Sequence, residues 1–259
     1  MKKTLSLLMA LCMLISVLAV PALAETDMEY VRNKGVLVVG ITDFAPMDYK
    51  DENGEWIGFD ADMAKAFAEY LGVRVELVEI DWDNKILELN GKSIDCVWNG
   101  MTLTDEVKSA METSNAYANN AQVVVLPAAK ANDYADVAAL SGLSFAVEAG
   151  SAGEAEIEAL GYNKTPVQSQ AATLLEVKAG TSDAAVIDAL MAAAMVGEGT
   201  DYADLTYTFS LNSEEYGVGF RKGSDLAAAL NEFMAAAYAD GSMMAIAETY
   251  GVQAAIIPQ

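Results

Sequence analysis

The sequence predicts an α/β protein built on mostly parallel sheets flanked by helices, and three observations support that expectation. Short β-branched apolar runs alternate with segments of helical periodicity, the pattern of βαβ units. The first run is apolar without alternation, as a strand covered on both faces requires. The alternation then restarts after Val123-Val124-Val125, so there are two such units.

Gly35-Val36-Leu37-Val38-Val39-Gly40-Ile41 is that first strand. Phe44-Ala45-Pro46-Met47 leaves an aromatic at its carboxyl end, where open α/β sheets place ligands. Asp51-Glu52-Asn53-Gly54 is a hairpin turn. Asp60 is positioned to cap a helix with Met63, Phe67 and Leu71 on one face, and Gly72 stops it. Residues 73–80 read as a strand, 82–89 as a helix and 94–98 as a strand. Gly91-Lys92-Ser93 is not a phosphate loop, because that loop needs a glycine where Ile86 stands.

In the second unit a helix is expected near residues 133–140, a strand at 143–147 and a helix from Gly153. A further helix ends at Gly180, a strand at 184–187 ends on Asp188, and residues 189–196 are helical. Tyr216-Gly217-Val218-Gly219-Phe220 is a crossing strand, followed by helices over 226–238 and from Met243. No linker rich in Pro, Gly or Ser parts the units. The chain therefore crosses between them twice, at one hinge.

The turn at residues 95–108 joins a buried strand to a polar element. Cys96, Val97 and Trp98 are of strand type, and Asn99-Gly100 is read as ending the strand. Thr102 and Thr104 place two hydroxyls on one side. Asp105 and Glu106 suit the first turn of a helix. The segment is either a ligand-holding turn or a plain connection capped by Thr104.

Lys2-Lys3, an apolar stretch over 5–20 and Pro21-Ala22-Leu23-Ala24 have the three parts of a signal peptide, with cleavage after Ala24 of the 259 residues leaving 235. A lipid anchor on Cys12 is disfavoured, since Leu11 stands where a small residue is needed. Removing Lys2 and Lys3 from 15 basic residues leaves 13 against 38 acidic ones, a formal net charge of −25, which disfavours nucleic acid and anionic membranes as partners. The chain has no histidine, and Cys96 is the one cysteine after the signal. Histidine-based nucleophile triads, histidine metal sites and thiolate clusters are thereby excluded, so no catalytic residue, metal or cofactor is assigned.

The ordered set Gly-Val-Leu-Val-Val-Gly, Phe44-x-Pro46, Gly58-Phe59-Asp60, Ile94-Asp95, Gly100-Met101-Thr102-x-Thr104, Glu148-Ala149-Gly150-Ser151, Asp188 and Tyr216-Gly217-Val218 resembles the solute-binding proteins of polar amino acid ABC transporters. That resemblance covers nearly all of residues 31–250. It implies a two-lobed type II periplasmic-binding-protein fold with a two-strand hinge, lobe 1 being 25–118 with 217–259 and lobe 2 being 119–216. It implies a monomer, exported to the periplasm or cell surface, that delivers an amino acid or related amine to a permease. The family's two ligand-contacting aromatics fall on Phe44 and Trp82, where a cation–π contribution reaches about 2 kcal/mol; core packing is the alternative for each. The family's ammonium-binding acid falls on Asp188, whose alternative is capping the following helix. Gly100, Thr102, Ser151 and the Ala152 amide would face a ligand carboxylate, Ser151 being also a natural helix cap.

One departure stands out. Where the family carries an arginine that clamps the ligand carboxylate, this chain has Val107, and Lys108 would point roughly 100° away on a helix. Two other readings compete with capture for transport. One is an enzyme resembling cyclohexadienyl dehydratase, which needs an acid or base in the cleft and cationic anchors. The other is a ligand-sensing module without a transporter.

Overall fold

The computed structural model describes residues 25–134 and 136–259, and the expected signal peptide lies outside them. The described residues begin with α1 (Asp27–Lys34), β1 (Val36–Ile41), the hairpin β2 (Tyr49–Lys50) and β3 (Trp56–Ile57), α2 (Phe59–Leu71) and β4 (Arg74–Glu79). A 3-10 turn at Trp82–Asn84 leads into α3 (Lys85–Asn90), then β5 (Cys96–Thr102), α4 (Asp105–Ala110), β6 (Glu112–Thr113) and β7 (Ala118–Asn120). Next come β8 (Gln122–Pro127), 3-10 turns at Ala128–Asp133 and Val137–Leu140, β9 (Ser144–Glu148), α5 (Ala152–Leu160) and β10 (Asn163–Val167). The chain continues through α6 (Gln170–Ala179), β11 (Ala184–Asp188), α7 (Ala189–Met195), β12 (Leu205–Ser210), β13 (Glu214–Phe220), α8 (Leu226–Asp240) and α9 (Ser242–Thr249).

Two sheets organise these elements. The first has the order β4-β1-β5-β13-β6, with β7 paired to β13; the second has the order β10-β9-β11-β8-β12. β4, β1 and β5 run parallel, as do β10, β9 and β11, while β13, β8 and β12 are antiparallel to their neighbours. The chain leaves the first sheet after β7 and returns at β13, so residue boundaries at 118/119 and 216/217 fall inside these two crossing strands. Position inside the sheets explains the unbroken apolar runs: in the parallel strand β1, Leu37, Val39 and Ile41 are fully buried, and in the antiparallel but central strand β8 so are Val124, Val125 and Leu126. Each such side chain contributes about 1.5–3 kcal/mol of transfer free energy.

Local chemistry differs from expectation in three places. Asp60 does not cap α2. Gly58 holds the N-cap position with no side-chain bond, and the amides of Phe59 and Asp60 donate to the carbonyls of Pro46 and Met47 at 3.0 Å. Asp60 instead lies buried in the first turn, accepting from the Gly100 amide (2.6 Å) and the Tyr117 hydroxyl (2.7 Å). Second, Asn99-Gly100 does not end its strand, because β5 continues to Thr102. Gly100 takes a positive φ of 54°, and the β5–β13 register shifts nearby, so a bulge absorbs the kink. Third, where one helix is expected near 133–140, Asp133 ends one 3-10 turn and Val137–Leu140 form another.

Gly58 is the tightest backbone approach in the first lobe. At φ 129° a Cβ would stand 2.1 Å from the Met47 carbonyl oxygen, a backbone atom that cannot step aside. Gly58→Ala is expected to lower stability by about 2 kcal/mol or more, read as the drop in urea midpoint; an unchanged midpoint would show that the 44–58 loop is free to move.

Candidate functional site

A cavity of about 290 Å³ lies between the two sheets, at the carboxyl ends of their parallel strands. The first sheet's side contributes Trp82, Lys85, Gly100, Thr102 and Val107. The second contributes Glu148, Ser151, Ala152, Gln170 and Asp188. Six of the seven expected ligand-binding residues thus meet in one space.

Phe44 is the exception. It is 1% exposed and stands behind the wall, its ring edge-on to Tyr216 with centroids 6.3 Å apart. A Cβ on Gly100 would lie 2.2 Å from Phe44 Cε1, so the absence of a side chain at Gly100 makes room for this ring. Trp82 does line the cavity, 7% exposed. Its indole is already covered by a cation, since Lys85 Nζ sits 4.9 Å from the ring centroid.

Asp188 ends β11 and holds the N-cap position of α7, but its side chain makes no capping bond. Its carboxylate turns into a hydrogen-bonded cluster. Oδ1 accepts from Gln122 Nε2 (2.9 Å), from the Tyr216 hydroxyl (2.8 Å) and from Asn120 Nδ2, while Oδ2 accepts from Gln170 Nε2. The donors come from β7, β8, α6 and β13, so both crossing strands converge on this one group. Burial, and then the neighbouring Glu214, pushes the Asp188 carboxyl well above the usual carboxylate range. A ligand cation placed there would relieve that cost.

Two of the donors expected for a ligand carboxylate have internal partners. The Gly100 amide donates to Asp60, and the Thr102 hydroxyl donates to Glu214 Oε1 at 3.0 Å. Glu214 Oε1 also accepts from Asn120 Nδ2 (2.7 Å) and Gln122 Nε2 (2.8 Å), which makes it the second acid of the crossing cluster. On the other wall, Ser151 Oγ accepts from the Glu154 amide at 3.1 Å, capping α5. Its proton remains available to donate. The Ala152 amide, first in the helix, has no intrahelical acceptor.

Val107 sits in the first turn of α4, 5% exposed, so that position adds an apolar patch to the cavity wall. Arg221 is engaged elsewhere. Its Nε bonds Asp27 at 3.0 Å and a terminal nitrogen bonds Asp95 at 3.3 Å.

Sequence reasoning missed Lys85, Glu148 and Gln170 as cavity residues. Glu148 ends β9 and is 2% exposed, its Oε1 without a hydrogen-bond partner among the described residues. Burial pushes its carboxyl up to about 8, with Lys85 pulling in the opposite direction. The readable signal was a lone charge closing the apolar run Phe145-Ala146-Val147.

Two lobes with a polar, acid-walled cavity between the ends of their strands define a solute-binding protein that encloses a small ligand. Comparison with known proteins places it further: the chain belongs to the bacterial extracellular solute-binding proteins, family 3, whose profile matches residues 37–253. It is 30% identical over 260 residues to the L-arginine-binding protein of Pseudomonas aeruginosa, covering 96% of each chain. It superimposes on an ABC uptake transporter substrate-binding protein from Streptococcus pneumoniae with bound histidine, with a TM-score of 0.80 at 28% identity, covering 88% of this chain and 97% of the other. A shorter match, 32% identical over 83 residues, is to cyclohexadienyl dehydratase of P. aeruginosa, covering 32% of this chain and 31% of the enzyme.

Proposed function

We propose that this protein is an exported, monomeric carrier that captures an α-amino acid or a related amine between its lobes and delivers it to an ABC permease. The lobes divide within the two crossing strands. The observation that supports this most is Asp188: a buried carboxylate at the cavity, held by four side-chain donors of which one comes from each crossing strand, is matched to a ligand ammonium. Trp82, Gly100, Thr102, Ser151 and Ala152 complete the wall, and Phe44 supports it from behind. The likeness to binding proteins for arginine and histidine supports the same ligand class.

Capture is favoured over turnover. The chain has no histidine, and Lys85 is the one basic residue lining the cavity among the described residues, whereas a dehydratase acting on carboxylated rings needs several cationic anchors. A sensing role differs from transport only in its partner, and permease-dependent uptake distinguishes them.

The test is a thermal-shift screen of protein unfolded and refolded to strip carried ligand, against the twenty amino acids, cystine, and the decarboxylated amines. Ligand at about a thousand times its dissociation constant adds about 4 kcal/mol of apparent stability. A shift with one or a few of these compounds supports the reading; no shift with any would sink it.

A further inference from the structure

Lys85 poses a problem that the rest of the cavity does not solve. It is 8% exposed, and its ammonium donates to the carbonyls of Trp82 (3.2 Å) and, across the cleft, Gly150 (2.9 Å). Among the described residues no carboxylate oxygen lies within 4.0 Å of it. Its hydrogen-bond acceptors are therefore neutral. Burial holds the ammonium below its ordinary pKa, while the carboxylates of Glu106, Glu148, Asp83 and Glu154 pull it upward without any of them forming an ion pair with it. Buried charges are normally paired, and a cavity wall is where the pair can arrive with a ligand.

We propose that Lys85 is the carboxylate anchor of this site: its ammonium, with the Ser151 hydroxyl and the Ala152 amide, holds the carboxylate of an amino acid whose ammonium lies at Asp188. The bond from Lys85 to Gly150 already brings the ammonium to the start of α5, where Ser151 and Ala152 present donors. A lysine from one lobe and a helix start from the other then share a single ligand group, so the anchor is complete only when the lobes are closed. Lysine supplies a point charge with rotatable donors, and such an anchor fixes carboxylate position less strictly than a planar guanidinium would.

This inference rests on the ligand-capture reading, and the experiment separates the two. Calorimetric titrations would use the amino acid giving the largest thermal shift and its decarboxylated amine, arginine with agmatine or histidine with histamine, against wild type, Lys85→Met and Lys85→Arg. The wild type is expected to prefer the amino acid to the amine by at least tenfold. Lys85→Met is expected to lose at least tenfold in amino acid affinity while binding the amine unchanged, and Lys85→Arg to keep most of the preference. A Lys85→Met protein that retains the preference overturns the proposal, as does one that loses both ligands by the same factor, since that marks a structural role. A wild type stabilised by no compound in the screen overturns the capture reading and this anchor together.

Discussion

Asp188→Asn is expected to weaken amino acid binding by about 3–5 kcal/mol, a few hundred- to a few thousand-fold, while leaving the unliganded protein at least as stable as the wild type. The binding loss follows from leaving a ligand ammonium buried without its counter-charge. The intact fold follows from the distribution of donors. Gln122, Tyr216 and Asn120 all donate to Oδ1, which an asparagine carbonyl can replace, and only Gln170 meets the new amide group. Removing the negative charge also removes the burial cost and the repulsion from Glu214 that push this carboxyl's pKa up. Calorimetry and a melting curve check the two halves separately; full affinity in the variant would place the ammonium elsewhere.

The second large effect concerns pH. The unliganded protein is expected to be more stable at pH 5 than at pH 8, by several kcal/mol. Asp48, Asp60, Glu148 and Asp188 all have carboxyls pushed upward, mainly by burial, Asp60 to about 7 and Glu148 to about 8. Each binds its proton more tightly in the folded chain than in the unfolded one. Their stabilising contribution is thus fully present below the unfolded value near 4 and is lost as pH rises through the folded values. The surplus of 38 acidic over 15 basic residues acts in the same direction, because lowering the pH relieves self-repulsion. Urea titrations at pH 5, 6.5 and 8 measure the slope. Glu148→Gln should flatten it, and a stability maximum at pH 8 would mean that these acids remain ionised in the fold.

The strands most legible in the sequence were those whose burial on both faces leaves an apolar run, β1, β8 and β11. The edge strand β10 was not: it reads Asn-Lys-Thr-Pro-Val, mostly solvent-facing, with a proline that only an edge tolerates. The strand break expected at Asn99-Gly100 mistook a bulge for an end, because the glycine signal is the same for both and only the partner strand β13 distinguishes them. Asp188 was readable as a charge closing an apolar strand. Lys85 was not, since a lysine inside a helical segment looks like a solvated charge until the opposite lobe covers it. The internal use of Gly100 and Thr102 was equally hidden, as Asp60 and Glu214 approach from distant parts of the chain.

The sheet order has a kinetic consequence. β13 separates β5 from β6 in the first sheet, whereas every strand of the second sheet comes from one uninterrupted stretch, residues 122–210. A chain made from its amino end can therefore finish its later sheet before its earlier one. Until residues 214–220 arrive, β5 presents an unpaired edge carrying Cys96, Val97 and Trp98. Pairing across so long a loop is slow, and the half-built first lobe is the state most exposed to aggregation. The lobe that begins first is completed last, by the same strand that carries Tyr216 to Asp188.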